Sequence, residues 1–428
     1  MSWGGPETGV TEIARGRRLD TRRIVLLLGA LVLLVSSVRV FTGADDLTSS
    51  GTFGAALRLA VPILLAGLGG LYAERTGVVN IGLEGMMILG TWFGAWGGVE
   101  FGPWWGVVLG MAGGALGALV HAIASVTFGV NQIVSGVAIN IIAAGVARFL
   151  SVILFTGAGG GATQSPQVTG SLPTFTLPFV SGGDLLGWQS PDVAGWLEHR
   201  RWFLVSDLGA LVHGLTANLS ILTVATLLLV PLTYFFLWRT RLGLRMRSAG
   251  ENPVAAESLG VRVYTMKYLG VVISGALAGL AGAFLVLEAA GIYREGQTGG
   301  RGFIGLAAMI FWNWRPAGVA SAAGLFGYAD ALNLRSNDAV HALLLFIGIA
   351  LLGLGVWYLW KRSSVAGATV LGVAAAVLVW YGVTDSVPRE FIYITPYVST
   401  LLVLAVASQR LRPPEADGIT YRRGEETA

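Results

Sequence analysis

The sequence predicts an all-α, polytopic membrane protein with about 10–12 transmembrane helices. Charged residues make up 12% of the 428 residues, whereas soluble domains carry about 25%. Hydrophobic residues make up 54%, and the mean hydropathy is +0.69. Apolar runs of about 20 residues, the length that a helix needs to cross the hydrocarbon core, recur along most of the chain. The 62 glycines agree with this class, because small residues let membrane helices approach closely.

The N-terminal part is predicted to hold a basic tail and the first transmembrane half. Residues 1–23 end in a cluster of arginines, so the positive-inside rule places them in the cytoplasm. Residues 24–155 form the first half, and residues 156–218 form an extracytoplasmic loop that contains a short interfacial helix within Trp188–Leu204. The five spans predicted in the first half are approximately Ile24–Phe41, Phe53–Ala73, Ile81–Val99, Trp104–Phe128 and Gln132–Phe155, the last one interrupted by Asn140 and Arg148.

The second transmembrane half, residues 219–334, contains the most basic internal loop. This loop, residues 239–266 with the adjoining Lys267, is predicted to be cytoplasmic. The apolar segments of this half are Leu219–Trp238, Tyr268–Gly291, the short Phe303–Trp314 and Ala317–Leu334. They are followed by an inserted hairpin in 339–382 (Ala339–Trp360 and Val365–Tyr381), a final helix in 391–409 and a tail in 410–428. Counting twelve crossings places both termini in the cytoplasm.

Polar residues interrupt the apolar sequence within Glu74–Gly94, which reads ERTGVVNIGLEGMMILGTWFG. A charged group at membrane depth costs roughly 2.5–3.5 kcal/mol on insertion scales, so Asn80 and Glu84 need an explanation. In one interpretation, Asn80 caps a helix and Glu84 is held near the positive end of that helix, purely to fix the fold. In the other, both residues lie along a solute path.

An internal similarity predicts an inverted repeat with broken or short helices. The segment IGLEGMMI at residues 81–88 resembles IGLAAMIF at residues 304–311, and the predicted topology runs the two copies in opposite directions. Short, glycine-interrupted segments at matching positions of two halves indicate the midplane site of a transporter. The copies differ at Glu84, which corresponds to Ala307. Chance similarity between two apolar octamers is the alternative.

The basic loop contains a predicted short helix. Asn252 precedes Pro253, which suits the first turn of a helix, and Gly260 is a plausible C-cap after Val254–Leu259. This element is either a surface hairpin or a rigid helix that docks into a soluble partner and transmits its movement.

Three segments in the same order resemble the permease subunit of bacterial ABC importers for nucleosides, within the ribose and branched-chain amino-acid permease group. They are ERTGVVNIGLEGMM (74–87), GENPVAAESLGV (250–261) and GRGFIGLAAMIFWNWRPAG (300–318). The resemblance covers about Ala55–Phe155 and Ser220–Leu334, and it resumes at Phe391–Val406. Two departures are the hairpin Ala339–Tyr381 and the enlarged outer loop Ser181–His213. They put in doubt the helix count and any contact with a binding protein.

The resemblance implies the partners of the chain. It implies a separate ATP-binding-cassette ATPase, a second related permease as heterodimer partner, an extracytoplasmic solute-binding lipoprotein and a bacterial cell membrane around the chain. ATP and Mg would bind the ATPase, with no cofactor on this chain. The coupling helix that contacts the ATPase is implied at Gly250, Glu251, Asn252, Pro253, Ala255 and Ala256.

Several functions have no support in the sequence. There is no GxxxxGK[ST] phosphate-binding loop, the four histidines have no metal-ligand spacing, and the chain contains no cysteine. No paired nucleophile and base points to an enzyme, and the arginines follow topology instead of forming a nucleic-acid-binding face. Two alternatives stay open: a permease for ribose or another simple sugar, and a stand-alone carrier coupled to protons through Glu84.

A nucleoside path requires aromatic surface and a few amide or carboxylate partners, because the solute is neutral, with a stacking base and a polar ribose. The predicted path residues are Asn80, Glu84, Asn131, Gln132, Asn140, Phe303 and Asn313.

Overall fold

The computed structural model describes residues 21–157, 159–185, 187–335, 337–388 and 411–423. The helices of the first half are α1 (Thr21–Thr42), α2 (Ser50–Glu74), α3 (Leu83–Phe101), α4 (Pro103–Ala122) and α5 (Gln132–Leu154). The outer loop holds β1 (Thr174–Phe175), β2 (Asp184–Leu185), β3 (Trp188–Gln189), α6 (Val193–His199), α7 (Val205–Thr216) and β4 (Leu219–Ser220). Strand β1 pairs antiparallel with β4, and β2 pairs antiparallel with β3.

The second half is also helical. It contains α8 (Ile221–Arg239), α9 (Arg241–Glu251), α10 (Pro253–Ser258), α11 (Val263–Phe284), α12 (Arg301–Phe311) and α13 (Pro316–Arg335), followed by α14 (Asn337–Trp360) and α15 (Ser364–Val383). Helices α4 and α11 continue into single π-helical turns, Ile123–Thr127 and Leu285–Ala290. The all-α prediction is confirmed.

Seven helices in the described part of the chain are long and apolar enough to cross a bilayer. They are α2, α4 with its π turn, α5, α8, α11 with its π turn, α14 and α15. The predicted spans that correspond to α1, α3, α12 and α13 also form helices, but these are not among the seven. The predicted tail 1–23, apart from residues 21–23, and the predicted final helix in 391–409 lie outside the described residues.

Polar side chains fix the start of several helices. Ser49, Ser220 and Thr240 each accept a hydrogen bond from a backbone N–H in the first turn of α2, α8 and α9. Such an N-cap satisfies one of the four backbone donors that have no partner within the helix. For α2 and α8, the capped starts lie within three residues of the predicted ones.

Helices α2 and α11 form the centre of the molecule and pack against each other. Helix α2 packs against α12 and α13, and α11 packs against α3 and α4. Each central helix thus packs against the two helices that follow the other central helix. This pattern is expected if α2–α4 and α11–α13 are repeats of one unit. Glycines permit the close approach: a Cβ atom at Gly90 of α3 would lie 2.3 Å from the Gly279 carbonyl oxygen of α11.

The basic loop differs from the prediction in two ways. Helix α9 was not expected, and it forms because Gly243, Met246 and Ala249 supply a buried face. Helix α11 begins at Val263, so Lys267 is not a cytoplasmic loop residue as predicted but a buried residue of the helix, 2% exposed. Lys267 can be buried because its ammonium donates a hydrogen bond to the Gly77 carbonyl oxygen at 2.8 Å.

The outer loop contains two helices where one was expected. Helix α6 falls within the predicted interfacial segment, and α7 was not predicted. Helix α7 buries its small and polar face, including Asp207 and Gly214, and exposes the apolar side chains Val205, Leu208, Val212 and Leu215. A helix with its apolar side outward is typical of a surface covered by lipid.

Candidate functional site

The segment between α2 and α3 enters the helical core without being helical itself. Gly77 turns the chain at φ +77°. Its carbonyl oxygen meets Lys267 of α11, whereas Asn80 donates to the Ser274 hydroxyl of α11 at 2.9 Å. Seven residues of helix separate these two points, which is a rise of roughly 10 Å. Helix α3 therefore starts well inside the part of the molecule formed by the transmembrane helices.

Helix α12 is too short to cross a membrane. Its 11 residues rise roughly 16 Å, about half of the 30 Å hydrocarbon core. It begins after two glycines in the left-handed region, Gly299 (φ +55°) and Gly300 (φ +78°). Its first turn lies next to the first turn of α3, because a Cβ atom at Gly302 would come within 2.6 Å of the Glu84 backbone. The two copies of the predicted repeat therefore meet at their N-termini.

The Glu84 carboxylate lies between these two helix starts. It belongs to the first turn of α3, and it accepts from the backbone N–H groups of Gly300 (3.0 Å) and Gly302 (2.7 Å) at the start of α12. Helix N-termini carry a partial positive charge and unpaired N–H donors. One buried anion thus compensates two helix starts, and the isolated charge at membrane depth has two well-defined donors.

Two predicted path residues hold the segment between α2 and α3. The Asn140 side chain accepts from the Gly85 N–H at 2.7 Å and donates to the Ile81 carbonyl at 3.1 Å. The Gln132 side chain accepts from the Val79 N–H at 2.6 Å. Non-helical backbone is tolerated at this depth only when its polar groups are satisfied by protein or water, and these amides do so.

Asn80 does not cap α3, contrary to one interpretation of the sequence. The N-cap position is Gly82, which makes no side-chain cap bond, and the Asn80 amide points instead to Ser274 and the Met86 sulfur. Asn80 is fully buried, and its Oδ1 atom has no hydrogen-bond partner among the described residues. An unsatisfied buried acceptor at this depth is costly, which makes Oδ1 a candidate for contact with a solute in another conformation.

His121 is a part of this region that the sequence did not reveal. The ring of this fully buried histidine contacts the Val79 carbonyl oxygen at 3.2 Å through Nε2 and the Ser135 hydroxyl at 2.9 Å through Nδ1. Neither His121 nor Ser135 is among the predicted path residues. Because their partner is a backbone carbonyl in a non-helical segment, no spacing in the sequence marks them.

The other predicted path residues lie elsewhere. Asn131 caps α5 by accepting from the N–H groups of Ile133 and Val134. Phe303 of α12 is 42% exposed. Asn313, with φ +52° just after α12, accepts at Oδ1 from the Arg412 N–H at 2.8 Å. The structure therefore groups Asn80, Glu84, Gln132 and Asn140 and separates the remaining three.

A short helix, α10, lies where the coupling helix was predicted. Asn252 accepts from the Ala255 N–H at 2.9 Å, Pro253 occupies the first turn, and Gly260 follows with φ +83°. Pro253 and Ala256 are buried, whereas Glu251, Asn252 and Ala255 are exposed. Gly250 packs against the start of the segment between α2 and α3, since a Cβ atom there would lie 2.4 Å from the Arg75 carbonyl oxygen.

A buried group of charges adjoins this contact. The Glu74 carboxylate accepts from the Trp314 indole N–H, and it lies close to Arg75 and Asp417. Asp417 in turn lies close to Lys267. Burial raises the pKa of Asp417 from 3.8 to about 7, and the nearby Glu74, Lys267 and Arg75 act in the opposite direction. Burial lowers the pKa of Arg75. Asp417 comes from the C-terminal tail, to which the sequence assigned no contact.

Two surface cavities lie away from these residues. One of 470 Å³ is lined by Ser181–Gly182 and Trp188–Asp192, and one of 210 Å³ is lined by residues that include Arg39, Thr48 and Glu198. Both are formed wholly or partly by the outer loop. Asn80 and Glu84 are buried, so a solute cannot reach them in this conformation.

Comparison with known proteins finds a family of transport permeases. The family described as "Branched-chain amino acid transport system / permease component" matches residues 53–353. The guanosine ABC transporter permease protein NupQ of Bacillus subtilis is 32% identical over 378 residues, 87% of this chain and 96% of the relative. The nucleoside ABC transporter permease protein NupC of Lactococcus lactis is 29% identical over 373 residues, 85% of this chain and 93% of the relative.

A sugar permease is also similar. A glucose ABC transporter permease protein of Haloferax volcanii is 27% identical over 288 residues, 66% of this chain and 69% of the relative. No solved structure shows a significant match.

Proposed function

The chain belongs to the family of branched-chain amino acid transport system permease components, and from this premise we propose that it forms the translocation path of an ABC importer for nucleosides. In this proposal, the ATP is hydrolysed on a partner ATPase, and the chain itself binds no nucleotide. The chain is a multi-pass protein of the cell membrane, with both termini in the cytoplasm in this proposal.

The observation that carries the proposal is the contact of Gly250 with Arg75 and Gly77. Gly250 lies three residues before the start of α10 at Pro253, and a Cβ atom there would lie 2.4 Å from the Arg75 carbonyl oxygen and 2.9 Å from the Gly77 nitrogen. Backbone touches backbone, with no side chain to absorb displacement. A push on α10 would therefore be passed to the segment that leads to Asn80 and Glu84.

Two relatives support nucleosides as the substrate class, since one is a guanosine permease and the other a nucleoside permease, and both align over most of this chain. The polar candidates for the path are amides and one carboxylate, which suit the hydrogen-bonding edges of a neutral solute. Asn80, with its unpaired Oδ1, is the best candidate for direct contact.

The proposed partners follow from the family. They are an ATPase subunit docked at Gly250–Ala256, a second related permease that completes the path, and a solute-binding lipoprotein on the outer side. In this assembly Glu251, Asn252 and Ala255 would face the ATPase, because the structure leaves them exposed.

The test is uptake by proteoliposomes that contain the chain with its ATPase, second permease and binding lipoprotein. We expect ATP-dependent uptake of radiolabelled guanosine that is competed by other nucleosides. The chain reconstituted alone should neither hydrolyse ATP nor accumulate solute, and accumulation by the isolated chain would contradict the proposal.

Two alternatives are separated by the same assay. The similarity to a glucose permease keeps a simple sugar as the second candidate substrate, and ATP-dependent uptake of glucose or ribose without guanosine uptake would favour it. A proton-coupled carrier would require solute movement driven by a pH gradient through the chain alone. The two backbone donors on Glu84 instead favour a structural carboxylate.

A further inference from the structure

The C-terminal segment 411–423 runs across the inner side of the second half and binds the hinge between α2 and α3. We use hinge here for residues 75–82. The Ala416 carbonyl oxygen lies 3.0 Å from where a Cβ atom of Gly77 would be, and the Asp417 carboxyl faces Arg75. The N–H of Ala416 donates to the Gly250 carbonyl oxygen at 2.9 Å. This part of the segment therefore joins the hinge to the start of the coupling region.

The same segment also holds the coupling helix α10 from its other end. The Tyr421 hydroxyl donates to the Glu257 carboxylate, and the Arg423 guanidinium pairs with that carboxylate at 2.9 Å. The Tyr421 ring packs on Tyr264 of α11 with centroids 5.7 Å apart. Glu257 is thus bound by two donors from the tail, and both bonds are charge-assisted, the stronger class of hydrogen bond.

The segment is packed into the protein and is not a loose tail. Ala416 and Tyr421 are 6% and 7% exposed, and Leu411 packs against the main hydrophobic core. The segment also reaches the end of α12, where the Arg412 N–H donates to Asn313. A chain that contacts the hinge, α10 and the end of α12 connects the three elements that must move together in transport.

We infer that residues 411–423 are a brace that fastens the coupling helix to the hinge, with Tyr421 and Arg423 as positioning residues for transport. The inference rests on the proposed function and adds a second route of force transfer to the Gly250 contact. Because the brace is bound to both elements, it moves with α10 during the cycle and does not detach. Loss of the brace should leave ATP hydrolysis intact while less solute is moved per ATP.

The first experiment measures solute transported per ATP hydrolysed in proteoliposomes with the full set of partner subunits. The Y421F/R423A variant removes both donors to Glu257, and we expect the ratio to fall about tenfold while stimulated ATPase activity stays within about twofold of wild type. The control is R412A, which removes the same charge from the segment but keeps the backbone bond to Asn313. A ratio for Y421F/R423A equal to that of wild type would overturn the inference.

The second experiment tests the contact and its persistence. The chain has no cysteine, so the E257C/R423C pair can be joined by a short, reducible bifunctional thiol reagent without competing thiols. Before cross-linking, this variant lacks the Glu257 acceptor and should show the lowered ratio of solute to ATP expected for Y421F/R423A. Cross-linking in the assembled importer should raise the ratio to within about twofold of wild type, because a brace moves with α10. Failure to cross-link, or a ratio that stays low after cross-linking, would overturn the brace.

The outcomes separate the inference from the proposed function. A wild-type importer without ATP-driven uptake would contradict both. A wild-type importer that transports while Y421F/R423A remains fully coupled would contradict the brace alone. Loss of both ATPase stimulation and membrane-inserted protein in Y421F/R423A would show a purely structural role and would also overturn the inference.

Discussion

At the scale of single residues, Glu84 shows how a charge becomes tolerable at membrane depth. Its two oxygens accept from Gly300 and Gly302, and it lies at the start of its own helix as well. Both helix termini supply positive potential, so the carboxylate stabilises an arrangement that would otherwise bring two like dipole ends together. The interaction requires a group with two acceptor oxygens.

The variant E84Q should therefore destabilise the protein. A glutamine has only one acceptor oxygen, and the loss of one charge-assisted bond in a buried site costs about 1–3 kcal/mol. We expect a lower midpoint of thermal unfolding in detergent. E100Q, at the exposed end of the same helix, is the matched control and should leave the midpoint unchanged. An E84Q protein as stable as E100Q would argue against this role.

The raised pKa of Asp417 leads us to expect that docking of the tail depends on pH. Burial raises its pKa to about 7 from 3.8, so between these values the docked carboxyl binds a proton that the undocked one does not. Docking is accordingly strengthened below this range and weakened as the pH rises through about 7, although the facing Lys267 and Arg75 and the hydrogen bond with Glu74 oppose the loss.

The measurement is hydrogen exchange of residues 411–423 at about pH 6 and pH 8, with wild type compared with D417N at each pH so that intrinsic rates cancel. Protection in wild type should fall relative to D417N at the higher pH. If the ratio of wild-type protection to D417N protection is the same at both pH values, the prediction is contradicted.

At the scale of elements, the joint between α9 and α10 depends on the absence of a side chain. Gly250 has an ordinary backbone conformation, so its role lies in close approach and not in a positive φ. A Cβ atom would overlap the Arg75 carbonyl oxygen, and backbone on the facing side cannot rotate away. We therefore expect the contact to transmit movement and to tolerate substitution badly.

G250A should reduce ATP-driven uptake by at least about tenfold while the protein still inserts in the membrane, since overpacking a close contact costs about 1–3 kcal/mol and shifts the backbone. Uptake and the amount of membrane-inserted protein are measured together. G372A in α15 is the control, because a Cβ atom there meets nothing within 4 Å. Normal uptake by G250A would show that this contact does not carry the coupling.

At the scale of the whole molecule, the tail and the coupling region must share one side of the membrane, since residues 411–423 contact α10 and the hinge. The predicted topology places both in the cytoplasm and the loop before α12 outside. The hairpin of α14 and α15 packs mainly on itself, and the ring of His341 stacks on Tyr381 with centroids 4.5 Å apart.

Single cysteines in the thiol-free chain test this topology. E251C and R362C should react with a membrane-impermeant maleimide only after the membrane is opened, and R294C should react in intact cells, because the first two are predicted inside and the third outside. All three native residues are exposed in the structure. Labelling of E251C in intact cells would reverse the assignment of the coupling region.

Prediction from the sequence succeeded where a signal is local. Asn252 and Pro253 marked α10 because an N-cap and a first-turn proline are read from neighbouring residues. The prediction was wrong for Lys267, whose charge suggested a loop and whose partner is the distant Gly77 carbonyl. His121 and Asp417 were missed for the same reason, since their partners are far away along the chain.

By itself, the sequence determined the class of the protein: the length and hydropathy of the apolar runs require helices in a membrane, whatever their arrangement. It also marked Glu84 as a charge that needs a partner. Only the tertiary structure decided that this partner is the start of α12, that amides from α5 support the hinge, and that the tail binds the coupling helix. Each of these contacts joins residues separated by about 50 to more than 200 positions, and such pairings are set by packing geometry and not by local propensity.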